Sequence, residues 1–346
     1  MGCCESQNLS KSDGHFVKDL KEAIKLGDIR KIIYLIHKKQ KLTSTNIDIN
    51  EFTFKSSGLT LSIPGYCIIY GKHVLFRELY EKFFVSIQKL EESFANYGIS
   101  VLAILCSKGY SDLLKYYLPL SLSIDPTIYL NTNSFATLNL SIPNEKCEKS
   151  TYTPIQLACF YGNINCVKVT LEYFNNSDTP WWMDINFPDT TTNENCALMA
   201  CRGGHYLMIK YLYTLCNADF KTLNNKNENA LQIFLCSCRS NEIIDALKTV
   251  SYLIEEIKVD LSHMIEETFL LCDRQDIADY LELKCKEFGI QAVKKDIEEK
   301  NKIHIVKKLE ETSIASISMD VSHPSSISSF RGSDASNFES VLRHFN

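Results

Sequence analysis

The segment 153–171 constrains this chain most, because it is too short to bury its own apolar face. Thr153 suits a helix N-cap, and Pro154 suits the first helical position, where a missing N–H costs nothing. Ile155, Ala158 and Cys159 then fall on one helix face, and two of the three are small enough for a second helix to approach closely. Gly162 supplies the left-handed residue that ends the helix. A second helix follows, with Cys166, Val167 and Leu171 on its inner side. Such a unit needs copies of itself to shield it from water.

The copies are legible through the same positions. They fall at residues 20–36, 67–79, 98–118, 153–171, 195–212, 229–253 and 269–281. Their helix-ending positions are Gly27, Gly71, Gly109, Gly162, Gly204, Cys238 and Asp273. An eighth unit places Ile297 before Asn301 and Ile305, Val306 and Leu309 after it. The later terminators are more closely spaced than the earlier ones. The surplus residues therefore leave as loops, at about 119–150 and 172–192, since packed helices cannot absorb them.

The run Thr153-Pro154-Ile155-Gln156-Leu157-Ala158-Cys159, with Gly162 and Asn163, resembles the ankyrin repeat. That family's pattern is Thr-Pro-Leu-His-x-Ala-Ala-x-x-Gly-His, with a period of about 33 residues. Gln156 and Asn163 stand at its two His positions, and His205 does fill the second one in its own unit. Asp48-Ile49-Asn50 resembles the Asp-Val-Asn segment that leads into the next hairpin. The resemblance implies an all-α fold, an ankyrin-type α-solenoid of about seven or eight helix–turn–helix repeats with long loop insertions. It would span residues 16–311, between an N-terminal segment 1–15 and a Ser-rich tail 312–346. It also implies a non-catalytic scaffold that binds protein partners through its hairpin tips and concave face, with no cofactor.

Composition narrows the alternatives. Hydrophobic content of 45% is that of a folded protein, and a net charge of −5 argues against general nucleic-acid binding. The charge is uneven: residues 1–50 carry +3 and the remainder −8. No apolar run reaches the roughly 18 residues that a membrane span requires, and the N-terminus lacks a signal-peptide core. We therefore expect a cytosolic chain whose fourteen cysteines are thiols rather than disulfides.

Met1-Gly2-Cys3-Cys4-Glu5-Ser6 matches the N-myristoylation pattern, with Gly2 as acceptor and Ser6 in the Ser/Thr position. One myristoyl chain holds a membrane only marginally, so stable attachment needs a second signal. Cys3 and Cys4 lie beside Gly2, placed for S-palmitoylation. The N-terminus resembles the acylated N-termini of peripheral membrane proteins, and the expectation is a lipid anchor on the cytosolic face of a membrane, the plasma membrane in the first place. If the native start lies downstream, the chain is instead a soluble regulator.

Other candidate sites are weighed against packing. Cys106, Cys159 and Cys201 share one repeat position and Cys67 its neighbour, which explains four cysteines as small buried residues. Cys236 and Cys238 are too close for the usual zinc pair, so no metal site is assigned. Phosphate-loop, zinc-protease and nucleophile-elbow motifs are absent from the sequence, and no catalytic residue is assigned. The other class of function is an enzyme or effector with its catalytic groups in the oversize loops and the repeats selecting substrate. Trp181 and Trp182 follow Pro180 in the second loop and are candidate partner contacts, or alternatively a cover for the edge of the stack. From Thr312 serine recurs without a helical or strand period, the composition of a disordered tail open to phosphorylation.

Overall fold

A computed structural model describes residues 11–44, 47–56, 59–95, 97, 100–122, 138–139, 151–174, 184–189, 191–240 and 243–290. Among these, helices carry most of the structure, and strands are confined to two short ladders. The chain forms two compact units. One holds the residues up to Ala158 and those from Asn163 to Asp184; the other holds 159–162 and the chain from Ile185 to the last described residue.

In the first unit, α1 (Lys11–Leu26) and α2 (Ile29–Thr43) form a helix pair. Gly27 turns the chain, and Asp28 caps α2 by accepting from the Lys31 N–H at 2.9 Å. Leu20, Ala23 and Ile24 of α1 and Ile32, Leu35 and Ile36 of α2 are buried, following the spacing of three and four that puts them on facing stripes. Next, β1 (Thr53–Ser56) pairs antiparallel with β2 (Leu59–Ser62) and leads directly into α3 (Ile63–Ile69). The Tyr66 hydroxyl of α3 lies at 3.0 Å and 2.8 Å from the carbonyls of Phe54 and Leu59, which ties hairpin to helix. The unit continues with α4 (His73–Phe83), α5 (Ile87–Ala95), α6 (Val101–Lys108) and α7 (Ser111–Leu122). A two-residue ladder of β3 (Leu138–Asn139) and β4 (Thr151–Tyr152) precedes α8 (Pro154–Phe160), and α9 (Ile164–Phe174) packs on α7.

The second unit contains α10 (Cys196–Gly203), α11 (Tyr206–Leu215), α12 (Ala230–Ser240), α13 (Ala246–Glu255), α14 (Ile265–Leu270) and α15 (Gln275–Phe288). Helix α10 packs on α11 and α12, α12 on α13 and α14, and α13 on α15.

One junction recurs in both units. Gly27, Gly71, Gly109, Gly162 and Gly204 all adopt φ between +61° and +76°, a conformation that costs a Cβ-bearing residue about 1–2 kcal/mol. A later helix pair then lays a side chain on the glycine: Tyr110 on Gly71, Asn163 on Gly109, His205 on Gly162 and Ile243 on Gly204. A methyl group at Gly109 would sit 2.7 Å from Asn163 Oδ1. The glycine thus meets two demands at once, a left-handed turn and a close neighbour.

The helix starts are equally specific. Thr153 Oγ1 accepts from the Gln156 N–H at 3.3 Å while Gln156 Oε1 accepts from the Thr153 N–H at 2.8 Å, a reciprocal capping box. Asn229 and Gln232 repeat the device, at 3.1 Å and 2.8 Å.

Several expectations need correction. Cys238 does not end its helix: with no glycine to take up the left-handed turn, α12 runs on to Ser240. Asp273 is not left-handed either, and α14 ends at Leu270, with Leu271 in the right-handed region. Helix α7 continues past Pro119 to Leu122, where the sequence places the start of a loop. The β1–β2 hairpin and α5 are additional elements that the repeat pattern omits.

Candidate binding surface

In the second unit, the loops after α11 and after α13 are built to one plan. Asn217 and Lys258 adopt φ of +52° and +61°, followed by Ala218 and Val259, which point inward and are buried. The next residue is an aspartate that folds the turn. Asp219 Oδ1 accepts from the Lys221 N–H at 2.8 Å, and Asp260 Oδ1 accepts from the Ser262 N–H at 2.9 Å and the Ser262 hydroxyl at 2.6 Å. The hydrogen bond from Ser262 is the main reason that the Asp260 carboxyl lies below the ordinary carboxylate range.

Helix caps then reach across to hold these loops. The Asn195 amide donates to the Asp219 carbonyl at 2.7 Å, and the Asn229 amide donates to the Asp260 carbonyl at 3.0 Å. The Gln232 amide donates to the His263 carbonyl at 2.9 Å and to Thr268 Oγ1 at 3.1 Å. His263 Nε2 lies 2.7 Å from the Asn227 carbonyl, so that ring nitrogen carries a proton and donates. A buried ion pair braces the same region: Arg202 Nε donates to Glu194 Oε2 at 2.8 Å, and the Asn224 amide donates to Glu194 Oε1 at 3.2 Å. Burying two charges is tolerable here because each is paired and further hydrogen-bonded.

Between the two loops lies a groove of about 900 Å³, lined in part by Tyr213, Phe220, Lys221, Lys258, Asp260 and His263. The Tyr213 hydroxyl donates to the Glu256 carbonyl at 3.0 Å, and its ring meets Phe220 and Tyr252 edge-on at 6.2 Å and 6.1 Å. Tyr206 continues the strip, edge-on to Tyr252 at 5.7 Å, with the Lys248 ammonium 4.2 Å from its ring centre. Aromatic edges and lysine ammoniums thus stand beside the groove, where tyrosine offers large contact area with little rotamer freedom to lose.

The histidine and cysteines that the sequence pattern singles out are engaged in packing. His205 packs on Gly162, and burial lowers its affinity for a proton. Cys67, Cys106, Cys159 and Cys201 are all buried. Burial raises the thiols of Cys67 and Cys201, and pushes Cys166 up to about 12, so they are not thiolates at neutral pH. Among the described residues, no group of three or more His, Cys, Asp or Glu side chains is placed to hold a metal ion. No helix among them is long and apolar enough to cross a membrane.

Gly2, Cys3 and Cys4 lie outside the described residues, as do Trp181, Trp182, the eighth unit and the Ser-rich tail. The groove was not anticipated, because its lining comes from two loops far apart in sequence. A signal was present: Asn217-Ala218-Asp219-Phe220 and Lys258-Val259-Asp260-Leu261 share one pattern.

No family model matches the chain, and no curated protein matches it. Solved structures do. One is the Bd0816 predatory endopeptidase from Bdellovibrio bacteriovorus in complex with immunity protein Bd3460, 18% identical, covering 68% of this chain and 97% of that one, with a TM-score of 0.42. That likeness is too slight to carry over fold, activity or partner.

Proposed function

We propose that this chain is an ankyrin-type, non-catalytic scaffold that binds a protein partner and is tethered to the cytosolic face of a membrane by acyl chains on Gly2 and on Cys3 and Cys4. The observation that carries the scaffold reading is the junction repeated four times, in which Tyr110, Asn163, His205 and Ile243 each cover an earlier left-handed glycine. Stacked helical hairpins joined in this way present loops in register, which is how such repeats recognise partners. The groove beside Tyr213 and Phe220 supports a protein segment as the occupant. The tether rests on Met1-Gly2-Cys3-Cys4-Glu5-Ser6, which supplies an acceptor for one acyl chain and two thiols for a second.

Cells expressing the full chain are fed alkyne analogues of myristate and palmitate, then fractionated. Wild type takes up both labels and pellets with membranes, whereas Gly2→Ala loses the myristate label and moves to the soluble fraction. Proximity labelling in the same cells compares wild type with Tyr213→Ala. The scaffold reading requires a defined set of proteins to be labelled by the first and lost by the second, at equal expression and melting temperature. Unchanged pelleting of Gly2→Ala would falsify the tether, and an identical protein set from Tyr213→Ala would remove the groove.

A further inference from the structure

Helix α2 has an unusual charge pattern. Ile29–Thr43 contains Arg30, Lys31, Lys38, Lys39 and Lys41 and no aspartate or glutamate, in a chain whose net charge is −5. The cations are not scattered. Arg30, Tyr34, His37, Lys38 and Lys41 recur at the helical spacing of one face, and all five are exposed. The opposite face, with Ile32, Leu35 and Ile36, is buried. Two large apolar side chains stand out in solvent on this helix, Tyr34 at 61% and Leu42 at 75% exposure.

The position of this face matters as much as its charge. The Lys39 ammonium lies 5.8 Å from the ring centre of Phe16, so the C-terminal half of α2 runs beside the first turns of α1. The start of α1 therefore lies at the same end of the helix pair as Lys38 and Lys41. Gly2 precedes Lys11, the first residue of α1, by few enough residues that full extension spans only about 30 Å. Acyl chains on Gly2, Cys3 or Cys4 would hold the cationic end of α2 within that reach of a bilayer.

We infer that the exposed face of α2 is a membrane-contact surface for anionic lipid headgroups, with Arg30, Lys38 and Lys41 meeting phosphate and carboxylate groups, and Tyr34 and Leu42 entering the interface. The inference rests on the tethered reading and adds to it an electrostatic signal built into the folded domain. Each basic residue near an anionic leaflet contributes enough that removing three weakens binding by about a hundredfold. Tyrosine at the headgroup level adds to this.

The test uses the full chain carrying Gly2→Ala, so that no acyl chain contributes. Its co-sedimentation is measured with vesicles of equimolar phosphatidylcholine and phosphatidylserine, and with vesicles of phosphatidylcholine alone. The expected result is binding to the anionic vesicles only, release by high salt, and a loss of at least about a hundredfold in the R30E/K38E/K41E variant, whose charge reversal adds repulsion to the lost attraction. Circular-dichroism melting checks that the variant folds, and R30Q/K38Q/K41Q replaces it should the reversal lower the melting temperature. Equal binding to both vesicle types, no binding to either, or full binding by a folded variant overturns the inference. So does tighter association with single-stranded RNA than with the anionic vesicles at the same salt. Failure here leaves acylation standing, because incorporation of the myristate label reports on that step separately.

Discussion

At the scale of single residues, Glu91 shows how burial sets a proton's affinity. Its side chain is enclosed among α5, α6 and α7, where Oε1 accepts from the Tyr117 hydroxyl at 2.7 Å and Oε2 accepts from the Val101 N–H at 3.3 Å. Burial pushes the carboxyl up to about 7, against the partial opposition of those two donors. The native state therefore holds this proton more tightly than the unfolded chain. The stability it confers is fully present below the ordinary carboxylate value of 4.5 and is lost as pH rises through 7. The full swing is about 3 kcal/mol. Urea melts across that window should show stability falling with pH for wild type and a flatter profile for Glu91→Gln, which keeps the shape without the titration. A wild-type profile that rises over the same window would contradict the assignment.

At the scale of elements, the helix starts link neighbouring pairs. Gln232 closes the cap of α12 and also reaches the first turn of α14 through the His263 carbonyl and Thr268 Oγ1. Gln232→Ala removes all of these bonds, leaving the buried Asn229 N–H without this acceptor and the His263 carbonyl and Thr268 Oγ1 without this donor, a loss of about 2–3 kcal/mol. Denaturant melts measure the loss. Hydrogen exchange should localise it to the amides of Thr268 and its neighbours in α14, and a uniform change across the second unit would mean that the link is not local. The elements were legible in sequence wherever a glycine marked the end of a helix. Gly27, Gly71, Gly109, Gly162 and Gly204 fix five helical hairpins because few residues other than glycine tolerate that turn. Helix α5 was not legible, although Ile87, Leu90, Glu91 and Phe94 follow helical spacing. A carboxylate on the buried side breaks the apolar pattern, and only the donors from α6 and α7 make its burial tolerable. The groove was hidden for another reason: Tyr213 and His263 come to line it together only through folding, and the pattern shared by the two loops marks their turns without showing that they enclose one groove.

At the scale of the whole molecule, cysteine usage is informative. Cys67, Cys106, Cys159, Cys166, Cys196, Cys201 and Cys285 are buried, while Cys216, Cys236, Cys238 and Cys272 are half-buried. Alkylation of the native protein, read by mass spectrometry, should mark the second group first. The first should react only as the fold opens, since each needs both access and a proton removed from an apolar site. Rapid modification of Cys106 or Cys201 in the native state would show that the helix pairs do not pack as described.

The glycine junctions have a consequence for how such a chain can change. Each of the four seams described is keyed by a different side chain: a phenol at one, an amide at the next, then an imidazole, then a branched alkane. The hairpins look interchangeable in outline, yet exchanging two of them would set the wrong key against each seam. Order along the chain is thus written into contacts of a few atoms, and a shuffled version of this protein would need new keys before it could hold together.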